Sequence, residues 1–305
     1  MQHLISIVGP TGVGKTAYAL HLAQRLQCPI ISADSVQVYQ GLDIGSGKAS
    51  AAERALVPHF MIDILPPDAP FNAGEFARRM DDLAAVLFRD YHHIIVVGGT
   101  GLYFQAIWEG FDAMPEVPEE VRLALNAELE VSGMAPLQAE LALVDAATWA
   151  VIDRQNPARI IRALEVWRAT GMPISAFRKG EKQRQNPWND IRIGLELPRE
   201  HLYPRIEQRV DQMLADGLLE ETRKVGEAFG LDCKGLESLG YREMVGFLRG
   251  EYDWEEAVRL MKRNTRRYAK RQFTWFRRYE DIKWFAPNAV DAMDVWVDQA
   301  ILAGS

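Results

Sequence analysis

The chain has 305 residues, long enough for two domains, and its 48% hydrophobic and 25% charged residues are those of an ordinary globular protein. No apolar run approaches the roughly 20 residues of a membrane span, and the opening LISIVG is strand-like rather than a signal peptide, so a cytoplasmic protein without membrane attachment is expected. Cys28 and Cys233 form no CxxC pair, which speaks against a disulfide framework or zinc cluster, and a net charge of −7 speaks against a uniformly basic nucleic-acid binder.

Strand-like runs occupy 4–9, 29–34, 59–65 and 93–99, separated by helical stretches at 15–27 and 73–90. Such alternation predicts an α/β fold with a parallel sheet covered on both faces. From residue 112 the periodicity is helical only, with breaks at Pro136, Pro157 and Gly171. Strands return at 191–198 and 281–287. The expected organisation is a core of 1–111 and 191–305, interrupted by an all-helical insertion at 112–190.

The first strand runs into GPTGVGKT: Gly9, Pro10, Thr11, Gly12, Val13, Gly14, Lys15 and Thr16. This matches G-x-x-x-x-G-K-[ST] between a strand and a helix, the context that motif requires, and makes the core P-loop NTPase-like. Backbone amides and a helix N-terminus face the ligand, Lys15 adds a full charge, and the Thr16 hydroxyl suits Mg2+. These groups recognise a polyphosphate; nothing in them specifies a nucleotide.

Asp34 ends the second strand, at the carboxyl edge where ligands bind. It is placed to bind metal or accept a proton, or to cap the next turn. Thr100 leaves the strand at 93–99 and is expected in the same crevice, with Gly98, Gly99 and Gly101 leaving room for a ligand. Nucleotide hydrolases commonly end such a strand in a magnesium-binding aspartate; this one ends in Gly-Gly-Thr-Gly.

Four ordered segments, GPTGVGKT, SADSVQVYQGLDIGSGK, VGGTGLYF and GYRE, resemble the tRNA dimethylallyltransferase (tRNA isopentenyltransferase) family, and the resemblance spans nearly the whole chain. It implies transfer of a dimethylallyl group from dimethylallyl diphosphate to the exocyclic amine of the adenine 3′ of the anticodon. The phosphate loop would then hold a leaving diphosphate. The resemblance further implies Asp34 as proton acceptor, Thr100 near the bridging oxygen and Arg223 on the diphosphate. It places Asp34, Ser35, Val36, Gln37 and Thr100 at the flipped base, and Arg122 with Ala158, Arg159, Ile160, Ile161 and Arg162 on the anticodon arm. Gln37 is chemically suited to an adenine edge. Lacking a Cys/His set for a C-terminal zinc finger, the chain resembles the shorter bacterial type and is expected to be a monomer.

The window 259–278 holds nine Lys or Arg and no acid. Asp253 and Glu256 form a capping box before it. On a helix, Ala257, Met261, Tyr268, Gln272, Trp275 and Tyr279 share one face, and Arg259, Arg263, Arg266, Lys270 and Arg277 form a basic stripe opposite, expected to meet RNA phosphates. Arg178, Lys179, Lys182 and Arg184 follow the insertion in a polar loop. Rival readings are a small-molecule kinase using ATP, a transferase acting on free adenine nucleotides, and a non-catalytic RNA-binding protein. The Gly-Gly-Thr strand end, the insertion with its basic helix, and the convergence of Asp34 and Thr100 argue against them in turn.

Overall fold

The computed structural model describes residues 1–112, 114–178 and 186–304; Lys179, Lys182 and Arg184 lie outside them. The chain divides into two compact units, Met1–Trp108 with Gln185–Ser305, and Glu109–Arg184.

In chain order the first unit begins with β1 (His3–Val8), α1 (Lys15–Leu26), β2 (Ile30–Ala33), α2 (Ala51–Leu56), β3 (His59–Phe60), α3 (Ala73–Leu87), β4 (His93–Gly98) and α4 (Gly101–Trp108). The second unit contains α5 (Glu119–Ser132), α6 (Met134–Val144), α7 (Ala146–Val151), α8 (Pro157–Thr170) and α9 (Ile174–Phe177). The first unit then resumes with β5 (Asn189–Leu195), α10 (Arg199–Ala215), α11 (Leu218–Phe229), α12 (Tyr241–Leu248), α13 (Trp254–Phe276), β6 (Lys283–Phe285) and α14 (Val290–Ala303).

The six strands form one parallel sheet in the order β3-β2-β4-β1-β5-β6. The chain leaves β1 toward one edge for β2 to β4 and toward the other for β5 and β6. The carboxyl end of β1 therefore lies where the strand order reverses, which in such sheets opens a crevice. Both faces are covered: Ile5 and Ile7 belong to one core with Tyr18, Ala19 and Leu22 of α1, while Leu4 and Val8 belong to another with Phe76, Met80 and Phe104. Ser6 is the polar exception on β1's apolar face, and it accepts a hydrogen bond from the Trp108 indole at 3.0 Å.

Several expected elements differ in extent. β3 spans two residues instead of 59–65, because Met61 and Asp63 take φ of 61° and 56° and leave the extended conformation. The Asp63 carboxylate is held there by Lys48 at 2.5 Å and Arg54 at 2.8 Å. β5 begins at Asn189, and β6 covers only Lys283–Phe285 of the expected 281–287. Pro136 breaks nothing: it is the third residue of α6, in the first turn, where no intrahelical donor is lost. Pro157 and Gly171 do bracket α8, the proline in its first turn behind an Asn156 cap and the glycine left-handed at its end.

The helices of the second unit pack around Leu125, Leu137, Leu141, Ile160 and Leu164. Among the described residues no helix is long and apolar enough to cross a membrane.

Candidate active site

A cavity of about 690 Å³ opens on the phosphate loop and the ends of β2 and β4. Lys15 and Thr16 line it together with Asp34, Gln37, Arg205 and Arg209 of α10, and Tyr268 and Gln272 of α13. α1 starts there with no side-chain cap and no acid in its first turn, leaving its amides and positive dipole end for a ligand. Gln272 braces the loop, accepting from the Thr11 N–H at 2.8 Å and donating to the Gly99 carbonyl at 3.0 Å.

The charges in this crevice do not balance. Lys15 donates to the Pro10 carbonyl at 2.8 Å, and burial, reinforced by Arg209 and opposed by Asp34, pushes its pKa down to about 7. Arg209 is an exposed residue, but desolvation of its guanidinium at the crevice lowers its pKa, against the attraction of Asp34, and it forms no ion pair with any described residue. Two cations thus share one carboxylate in a region of reduced dielectric, an arrangement an anion relieves.

Asp34 both caps and faces the cavity. Its Oδ1 accepts from the Val36 and Gln37 amides at 2.8 and 3.3 Å, while Oδ2 has no hydrogen bond among the described residues. Burial raises its pKa, opposed by those amides and by Lys15 and Arg209, which makes it a better proton acceptor than a solvated carboxylate. Thr100 Oγ1 accepts from the Ser35 N–H at 3.1 Å, tying the exit of β4 to the turn after Asp34, and the Tyr268 hydroxyl interacts with both Thr100 and Gln272.

Other expected residues are placed differently. Gln37 has no free amide for an adenine edge: Oε1 accepts from Ser32 Oγ at 2.7 Å, and Nε2 donates to the Ser46 and Gly47 carbonyls at 3.3 Å. Of the glycines after β4, Gly98 and Gly99 line the crevice, and all three also sit close against protein. A Cβ on Gly98 would lie 2.1 Å from the Ala33 carbonyl oxygen, and those on Gly99 and Gly101 would collide with Gln272 and Trp275.

Arg223 does not line the crevice; it is half-exposed and paired with Glu220 of its own helix at 3.0 Å. Arg209 stands beside Lys15 instead. Two residues before Arg223, the Glu221 carboxylate accepts from the backbone amides of Asp43, Ile44 and Gly45 and from the Tyr241 hydroxyl at 2.5 Å. That carboxylate holds the 43–47 loop, which in turn packs on Arg209. A Cβ at Gly47, whose φ is 58°, would lie 1.9 Å from Arg209 Nη2 and push the guanidinium aside.

The basic helix is also redistributed. Asp253 caps α13 by accepting from the Glu256 N–H, but the Glu256 carboxylate pairs with Arg259 at 2.6 Å instead of completing a box. Within the expected stripe Arg266 and Arg277 pair with Glu207 and Glu196 from other elements, and Arg263 turns to Asn264. The unneutralised surface lies to one side: Arg267, Lys270, Arg271, Thr274, Trp275 and Arg278 line a cavity of about 480 Å³, with the Arg278 guanidinium 3.8 Å from the Trp275 ring centroid. Among the described residues none of its four cations has an ion pair. In the second unit Ala158 and Arg159 are exposed, and Ile160 and Ile161 are buried in that unit's core. Arg122 and Arg162 both pair with Glu165.

A parallel sheet with a phosphate loop at its reversal point, and an excess of cations lining the crevice there, defines a P-loop protein. The chain belongs to the IPP transferase family, whose profile matches residues 37–279; a profile described as Isopentenyl transferase matches residues 2–62. It is 46% identical over 297 residues to a tRNA dimethylallyltransferase of Cytophaga hutchinsonii, covering 97% of both chains. It is 43% identical to that of Halothermothrix orenii, over 96% of this chain and 90% of the relative. Among solved structures, the tRNA isopentenylpyrophosphate transferase of Bacillus halodurans superposes with a TM-score of 0.74 at 36% identity, covering 100% of this chain and 98% of that one. A eukaryotic dimethylallyltransferase acting on tRNA, at 24% identity and TM-score 0.80 over 99% of this chain and 78% of that one, shares the fold. The protein is accordingly a prenyl-transferring enzyme.

Proposed function

We propose that the protein transfers a dimethylallyl group from dimethylallyl diphosphate to the exocyclic amine of the adenine 3′ of the anticodon in tRNA. The observation that carries this is the pair of unneutralised cations, Lys15 and Arg209, around Asp34 at an uncapped helix start. The adenine nitrogen forms a bond to the allylic carbon as the carbon–oxygen bond breaks. Diphosphate leaves with the electron pair, and the amine proton passes to Asp34. Charge grows on the departing oxygen, so the phosphate-loop amides, Lys15 and Arg209 act where stabilisation is needed. Thr100, fixed by the Ser35 amide and Tyr268, holds the exit of β4 beside Asp34.

Magnesium fits this site as a shared ion, since it keeps several waters and substrate phosphates and needs few protein ligands. Thr16, which lines the crevice, would hold it, and its chemistry is added neutralisation of the diphosphate.

The adenine is extruded from the anticodon loop to reach the crevice, at a cost of about a few kcal/mol. The 34–37 turn receives it, and Arg159, Arg122, Arg162 and the Arg267–Arg278 surface take the RNA backbone. The enzyme is read as a monomer acting in the cytoplasm. The test is incubation with labelled dimethylallyl diphosphate and magnesium, with unmodified tRNA, AMP or ATP in parallel. Label should enter tRNA and be indifferent to ATP. Label on AMP alone, or ATP consumption without transfer, would overturn the proposal.

A further inference from the structure

Glu165 is a buried acid outside the crevice, 1% exposed on α8 among Leu164 and Val166 of the second unit's core. Two guanidinium groups close on it. Arg122 of α5 donates through Nε to Oε1 and through Nη2 to Oε2 at 3.1 Å. Arg162, one turn earlier on α8, donates through Nη1 to Oε2 at 3.1 Å. Burial alone would raise the carboxyl pKa, but the hydrogen bonds from Arg122 and Arg162 hold it below the usual value.

One arginine would neutralise the Glu165 carboxylate, and the second adds a further positive charge, with Glu119 of α5 also attracting Arg122. The arginine side chains are 58% and 39% exposed, so both heads remain open to solvent on one side, with most of their N–H donors unused. A buried ion pair adds little net stability, but it does fix geometry. Arg159, exposed and three residues before Arg162, extends the same face without an ion pair among the described residues.

We propose that Glu165 is a positioning residue that presents Arg122 and Arg162 as a preset two-guanidinium seat for one backbone phosphate of the RNA substrate. Two rigid forks on one phosphodiester suit guanidinium chemistry, and prior fixation removes the entropy of ordering two long side chains on binding. The seat presupposes the tRNA-modifying activity proposed above.

The test is equilibrium binding of tRNA to the full chain across a salt series, comparing wild type, Glu165→Gln and the double variant Arg122→Ala with Arg162→Ala. Removing the carboxylate makes the face more positive, so attraction alone would tighten binding. A preset seat requires the opposite: Glu165→Gln binds tRNA about ten-fold more weakly, with the salt slope reduced by about 1 and the donor KM unchanged. Unchanged or tighter binding by Glu165→Gln would overturn the proposal, as would wild-type affinity in the double arginine variant. Should Glu165→Gln fail to fold, Glu165→Asp, which keeps the charge but withdraws it from the two arginines, carries the same expectation, and wild-type affinity there refutes it. Wild-type transfer of label to tRNA reports separately on the activity itself.

Discussion

Replacing Arg209 by glutamine should make the enzyme worse and leave the stability of the free protein nearly unchanged. In the free protein Arg209 is an exposed residue that lines the crevice beside Lys15, with Asp34 as its opposing charge and no ion pair among the described residues. The neutral amide loses some packing against Gly47 and frees Lys15 from repulsion, two small changes of opposite sign. The melting temperature should stay within about 2 °C of wild type, the shift expected of roughly 1 kcal/mol in a chain of this size. On the donor the loss is large. A charge-assisted hydrogen bond contributes about 1.5–3 kcal/mol, so losing a two-pronged contact lowers kcat/KM for dimethylallyl diphosphate by about 10²-fold. Thermal unfolding with and without inorganic diphosphate, beside steady-state transfer, reads both. Diphosphate should stabilise the wild type and barely affect the variant. Arg223→Ala, on a half-exposed helix face, is the control and should behave as wild type. Near-normal turnover by Arg209→Gln, a melting temperature several degrees lower, or an equal loss in Arg223→Ala would refute the reasoning.

Asp34→Asn should lower transfer by about 10²–10⁴-fold while tRNA affinity, measured by filter retention, stays within about three-fold, because a proton acceptor is lost and no cation is. Glu221→Gln weakens the anchor of the 43–47 loop against Arg209, so the donor KM should rise about ten-fold with tRNA affinity unchanged; an unaltered donor KM would detach that loop from the crevice. His3 and His93, with rings 5.2 Å apart at the start of β1 and β4, are both lowered in pKa by burial, His93 also by the charge of His3. Below their unfolded value of about 6.5 the unfolded chain takes up protons the native state resists, so stability is full above that pH and falls with acid. His93→Gln should flatten the fall in melting temperature between pH 7 and 5, and an unchanged slope would assign the acid sensitivity elsewhere. Arg267→Glu with Arg271→Glu should weaken tRNA binding and flatten its salt dependence more than Arg259→Glu with Arg266→Glu, whose arginines already have acidic partners.

The parts of the site written in contiguous residues were legible. The phosphate loop and Asp34 follow strands and line the crevice, because strand ends of a parallel sheet converge wherever their order reverses; Thr100 follows β4 and meets the Ser35 amide but is not among the residues lining the cavity. Arg209 was not legible, because RIEQRVDQML reads as an amphipathic helix with ordinary arginines. Its place at the crevice shows only in the fold, where the 43–47 loop packs on it, a contact 162 positions away in sequence between Gly47 and Arg209. The available signal was Arg205 and Arg209 one turn apart beside the buried Ile206 and Val210. Arg223 rests on the family resemblance alone: on α11 it is Leu218, Thr222 and Val225 that are buried, and Arg223 is half-exposed beside Glu220. The run of cations on α13 was visible, but the acids that neutralise part of it, Glu207 and Glu196, sit on other elements and escape any count within one helix. β3 failed as a long strand because Asp63 is drawn into ion pairs with Lys48 and Arg54, a tertiary override of an apolar run.

The use of a phosphate loop to hold a leaving group, with no phosphoryl transfer, is tested most directly by asking which bond breaks. Dimethylallyl diphosphate carrying ¹⁸O at the oxygen between carbon and phosphorus is turned over with tRNA, and the products are weighed by mass spectrometry. Attack at carbon sends all of the heavy oxygen into diphosphate and none into any alcohol. Heavy dimethylallyl alcohol, released in step with turnover, would show cleavage at phosphorus and contradict the mechanism at its centre.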